Sequence, residues 1–196
     1  RAKANTELVD NQGHTALQWA EISGHTAIAE LIRQHAAPPQ LAAAAPVAPP
    51  ELAVSSLASL PLVSEPGELQ EVVKWLREGG QVDALRQSMT YGGPPASFSL
   101  LHVASASGRL EVVKMLLKQG ASVDLPTSNG FTALMEATIR GHLSTAVVLL
   151  KHSANPDLQD EVGMTALIGG ASLGHVACVQ LLLRAKANSE LVDNQG

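Results

Sequence analysis

Cysteine occurs once in the 196 residues, at Cys178, so no internal disulfide braces this chain. Its place in an apolar helical pattern reads as a small buried hydrophobe rather than a reactive thiol. Aromatic residues make up only 3%, while hydrophobic residues reach 45%. The apolar content is therefore Ala, Leu and Val, which suits closely packed helices better than a sheet. Positive charge is also short: 13 Lys and Arg face 18 Asp and Glu, for a net charge of -5. A phosphate backbone calls for a basic face, so nucleic acid is not an expected partner.

No apolar run approaches the roughly 18 residues that cross a bilayer. The longest candidate, from Leu41 to Leu62, is broken by Pro46, Pro49, Pro50 and Pro61, and membrane insertion is not expected. Catalytic signatures are missing as well: there is no Gly-rich phosphate loop with Lys, no G-x-S-x-G, no H-E-x-x-H and no paired cysteines. Glu30, Glu111 and Glu190 have no spacing that suggests a paired acid and base. A non-enzyme without metal or cofactor is expected. The lone cysteine fits a reducing interior, hence an intracellular, cytoplasmic chain. Residue 1 is Arg rather than Met, as in a fragment or a processed chain.

What is present is repetition. Gly108, Gly141 and Gly174 are 33 residues apart in turn. Each follows a short apolar stretch (Leu101-His102-Val103-Ala104, Leu134-Met135-Glu136-Ala137, Leu167-Ile168-Gly169-Gly170). Each precedes a second one (Val113 to Leu117, Val147 to Leu150, Val179 to Leu183). Self-similarity at this period means stacked units. In one unit the Asn129-Gly130 pair makes a turn with positive φ, and Thr132 stands where its oxygen caps the helix that follows. That helix ends at Gly141, a second runs from His142 to Lys151, and residues 153–163 return as an extended loop. His25, His142 and His175 each follow a Gly at the same repeat position and read as corner residues. His14, His35 and His152 are isolated and read as solvated. Trp19 and Trp75 lie on helical stripes and read as core.

Thr132-Ala133-Leu134-Met135-Glu136-Ala137, Gly141-His142, Val147-Val148-Leu149-Leu150 and Gly120-Ala121-Ser122-Val123-Asp124 resemble the T-P-L-H-x-A, G-H, V-V-x-L-L-L and G-A-x-V elements of the ankyrin repeat. Only His102 keeps the histidine of the first element, and Ala replaces its proline at positions 16, 133 and 166. The resemblance implies an all-α fold, a solenoid of helix-turn-helix units joined by extended loops.

Residues 1–35 carry one such unit, detached from the rest, either a carboxy-terminal cap or the end of an upstream block. Residues 36–57 are an Ala/Pro-rich linker of 22 residues. Residues 58–196 form the main array, with an amino-terminal cap at 58–83, an insert loop at 86–97 and repeats at 98–130, 131–163 and 164–196. The ends match: residues 184–196 repeat residues 1–13 except that Ser189 replaces Thr6. Three arrangements follow. Residues 14–35 dock on the third full repeat of their own chain, dock on a neighbouring chain, or belong to an upstream block in an array with a 183-residue super-period. The first is within reach, because four repeat steps of about 10 Å need on the order of 40 Å and the linker extends to nearly 70 Å.

The resemblance also implies a binding face made by loop tips and the exposed side of the first helices. By repeat position it comprises Phe98, then Ser128, Asn129, Phe131, Ile139 and Arg140, then Glu161, Val162, Met164 and Leu173, with Tyr91 in the insert loop. Phe98, Phe131, Ile139, Val162, Met164 and Leu173 are apolar where burial is not required, a pattern that suits protein docking. The expected function is non-catalytic binding of a protein partner, with Phe131, Met164 and Tyr91 as anchors. The alternatives are self-association through the open end, giving head-to-tail dimers or filaments, and a targeting arm for a catalytic domain elsewhere.

Overall fold

A computed structural model describes residues 4–35, 74–78, 80–88 and 96–185. The insert-loop residue Tyr91, the linker and most of the amino-terminal cap lie outside the described residues, as do residues 186–196.

The helices come in pairs. They are α1 (Ala16–Ile22) and α2 (Thr26–His35), then α3 (Leu100–Ala106) and α4 (Leu110–Lys118). After these come α5 (Ala133–Ile139) with α6 (Leu143–Lys151), and α7 (Ala166–Ser172) with α8 (Val176–Arg184). Each first helix has seven residues, and in α1, α5 and α7 its start is fixed by a threonine hydroxyl. Thr132 accepts from Met135 N at 3.3 Å and Thr165 from Ile168 N at 3.1 Å. These bonds satisfy amide groups that a helix start otherwise leaves open. Each first helix ends two residues before a glycine in the left-handed region, as Gly141 (φ 72°) and Gly174 (φ 77°) are. A β-carbon at Gly174 would also lie 2.8 Å from His25, so the corner requires glycine for space as well as for φ.

Register between layers is visible in the core. Leu116, Leu149 and Leu182 are each 0% exposed, and Ile32 is 1% exposed. Positions 116, 149 and 182 advance by the 33-residue period, and residue 32 joins the series when the 183-residue offset between the matching ends is added. Residues 4–35 thus lie as the next helix pair beyond α7 and α8. Helix α1 packs on α7 and α2 on α8. Trp19, Ala20, Ile28 and Ala29 close the far end of the core that α7 and α8 would otherwise leave open.

The insert differs from its expectation. Its two ends pair as an antiparallel ribbon of β1 (Arg86–Ser88) and β2 (Ala96–Phe98), so residues 86–97 are not simply a loop. Ser97 ties the ribbon to the next layer, its carbonyl accepting from Ser128 N at 3.1 Å and its N–H donating to Ser128 Oγ at 3.0 Å. Backbone groups at the insert are satisfied by pairing that one-dimensional periodicity does not reveal.

Candidate protein-docking face

Three sets of bonds hold the extended loops in a row. At the tips, Ser128 N donates to Ser97 O at 3.1 Å, Glu161 N to Asn129 O at 3.2 Å and Asn11 N to Val162 O at 2.8 Å. At the opposite end of each loop a carboxylate of one layer accepts from the next layer's backbone: Asp83 from Ser122, Asp124 from Asn155 and Asp157 from Asn5. At the corners a histidine reaches back one layer, His142 Nε2 to Ala106 O at 3.0 Å, His175 to Ile139 O at 2.8 Å and His25 to Ser172 O at 3.1 Å. Each rung is worth only about 1 kcal/mol, but together they set the loops in register. The corner role expected of these histidines is the one the structure gives them.

On this frame Val162 stands out, 53% exposed at a loop tip. Ser128, Asn129 and Glu161 are exposed beside it, and Phe98, Phe131, Ile139, Arg140 and Leu173 are half-buried. Phe131 is fixed from behind, its carbonyl accepting from His102 Nε2 at 3.1 Å. Met164 was expected to lie open and does not: it is 5% exposed, and its N–H donates to Asp160 Oδ1 at 2.7 Å. The chain turns there from loop to helix, which directs the thioether inward.

Two features escape a reading by repeat motif. Glu136 on α5 is 8% exposed, although motif matching leaves its position free. Burial pushes its carboxyl up and nearby Arg140 opposes this. The signal was an acid and a base four residues apart on an otherwise apolar helix. Asp10 is the second: Oδ1 accepts from Gln12 N and His14 N at 2.9 Å each, and Oδ2 accepts from Trp19 Nε1 at 2.9 Å. His14 is accordingly not solvated but half-buried, edge-on to Trp19 with ring centroids 5.6 Å apart. His35 also differs from expectation, half-buried with Nδ1 2.9 Å from Leu31 O. His152 is exposed as expected.

Among the described residues no three His, Cys, Asp or Glu side chains are grouped to hold a metal ion. No described helix is long and apolar enough to cross a membrane. Cys178 is 1% exposed, and burial raises its thiol above the ordinary range, away from the thiolate that reacts.

A family model of ankyrin repeats in three copies matches residues 62–160 and 101–195, together more than half of the sequence. The chain belongs to the ankyrin-repeat family, whose repeats generally serve as protein–protein interaction modules and are typically non-catalytic. Among solved structures it is similar to the crystal structure of the human ASB11 ankyrin repeat domain, with 39% identity and a TM-score of 0.43. That match covers 44% of this chain and 39% of the other. No curated protein matches the sequence.

Proposed function

We propose that this chain binds a protein partner through its loop tips and the open side of its first helices. The observation that carries the reading is Val162, an apolar side chain held out at a tip by bonds on both sides of its loop. Phe131, Ile139 and Leu173 continue an apolar line from it, and Asn129, Glu161 and Arg140 supply polar groups along its edge. An apolar centre with a polar rim is the anatomy of a protein interface. Phe131 and Val162 are the anchors, and the buried Met164 is not one of them.

The test is affinity capture with the unaltered chain, a Val162→Asp, Phe131→Ala variant and an exposed-helix control, Lys114→Ala. A partner that is kept by the control and lost by the double variant, at unchanged helix content, supports the reading. Equal capture by all three moves the interface elsewhere.

Head-to-tail self-association is the second reading, favoured by the match of residues 184–196 to residues 1–13. Because α1 and α2 cover the α7 and α8 end in cis, assembly requires that cap to move. Light scattering over a concentration range decides it: a constant monomer mass removes this reading.

A further inference from the structure

Arg140 closes α5, and its backbone is held on both sides. Its N–H donates to Glu136 O at 3.2 Å, Ile139 O just before it lies 2.8 Å from His175 Nε2, and Gly141 just after it takes φ 72°. The side chain is half-buried, and two of its donors are left over. Nε and Nη2 are shut off from solvent and, among the described residues, meet no acceptor. A donor in that state bears the full cost of leaving water, and a charged one bears more. Glu136, one turn earlier on α5, does not supply the missing bonds. Burial raises its carboxyl and so disfavours the anion that would pair with Arg140.

We propose that Arg140 is the recognition point for a carboxylate of the protein partner, an Asp or Glu side chain flanked by apolar residues. The inference rests on the docking face proposed above and names the chemistry that this face selects. Nε and Nη2 lie on one edge of the planar guanidinium, spaced to meet both oxygens of a carboxylate together. The outer torsions of the side chain turn that edge toward the arriving group, and two unmade bonds become two charge-assisted ones. Val162 and Phe131 take the apolar neighbours of the acid. A basic partner residue gains less. At the tip its target is Glu161, which is exposed and hydrated, and an ion pair between exposed groups contributes little. Glu136, held toward its neutral form, offers a cation little charge.

Random peptides displayed on phage are the probe, selected on the unaltered chain and depleted on the Val162→Asp, Phe131→Ala variant, so that survivors use the face. As synthetic peptides their affinities are measured by fluorescence anisotropy for the unaltered chain, Arg140→Gln, Arg140→Lys and Glu136→Gln, each at unchanged helix content. The expected survivors carry an invariant Asp or Glu beside apolar residues. Arg140→Gln weakens their binding about tenfold or more, the loss of at least one charge-assisted hydrogen bond. Arg140→Lys keeps the charge but not the fork, and weakens binding by less. Glu136→Gln leaves it unchanged or tightens it. Survivors without an invariant acid overturn the proposal, as do survivors that bind Arg140→Gln as well as the unaltered chain. An invariant Lys or Arg whose binding is lost with Glu136→Gln also overturns it, and makes Glu136 the recognition point. A selection that leaves no survivor instead sinks the docking face, and this inference with it.

Discussion

The imidazole of His102 is the side chain whose chemistry the fold constrains most. It is 2% exposed, with Nδ1 3.2 Å from the Ser99 N–H and 2.9 Å from its hydroxyl, and with Nε2 donating across the layer to Phe131 O. One nitrogen accepts and the other donates, which defines a neutral ring in one tautomer. Burial, the largest influence, holds its pKa below the ordinary 6.5, against the pull of nearby carbonyls and Asp83. The unfolded chain takes up the proton first as pH falls. The stability that depends on a neutral His102 is complete above pH 6.5 and is lost as pH drops towards the folded value. Urea unfolding as a function of pH should show this decline, at no more than about 1.4 kcal/mol per pH unit, and His102→Gln should remove that share. Glu136 runs the other way: with its carboxyl raised by burial, its share of stability is present in acid and lost as pH rises.

Among the elements, α7 is unusual in carrying Gly169 and Gly170 side by side in its middle. Propensity alone makes each glycine about 1 kcal/mol worse than alanine in a helix. Packing reverses this preference. A β-carbon on Gly169 would lie 2.7 Å from Ile139, and one on Gly170 would lie 2.8 Å from Thr138, both on α5. The glycines let α7 lie closer to α5 than a side chain would permit, and Ile139 and Thr138 fill the space. Gly170→Ala should therefore destabilise the chain by about 1–3 kcal/mol despite the gain in propensity. A fall in melting temperature checks this; a rise would mean that the layers spread at no cost.

Across the whole molecule, stability follows the rules of a stack in which each layer leans on its neighbours. An interior deletion such as Leu149→Ala leaves a hole with layers on both sides and should cost about 2–5 kcal/mol, shifting the main transition. Ile32→Ala lies in the outermost layer, joined to the array by a single interface. It should release residues 4–35 in a separate, earlier step. In a Trp75→Phe background the fluorescence of Trp19 should report that step before the loss of helix. Coincident transitions would show that the fourth layer folds as one unit with the rest.

Much of this was legible in one dimension, because a stack repeats its contacts whenever it repeats its residues. The 33-residue period, the hydroxyl cap at Thr132, the glycine corners and the layered leucines are all local or periodic, and the family follows from them. The repeat positions of Phe131, Ile139, Val162 and Leu173 could be read from the sequence. The depth of each side chain could not, since Met164 is buried by the turn of backbone at its own position. The β1–β2 ribbon depends on residues that pair across an insert with no period. That residues 4–35 cover α8's layer in their own chain was one of three arrangements the sequence allowed. What the tertiary structure adds is the burial of Ile28, Ile32 and Trp19 beside α7 and α8, a contact between distant stretches that no spacing along the chain encodes.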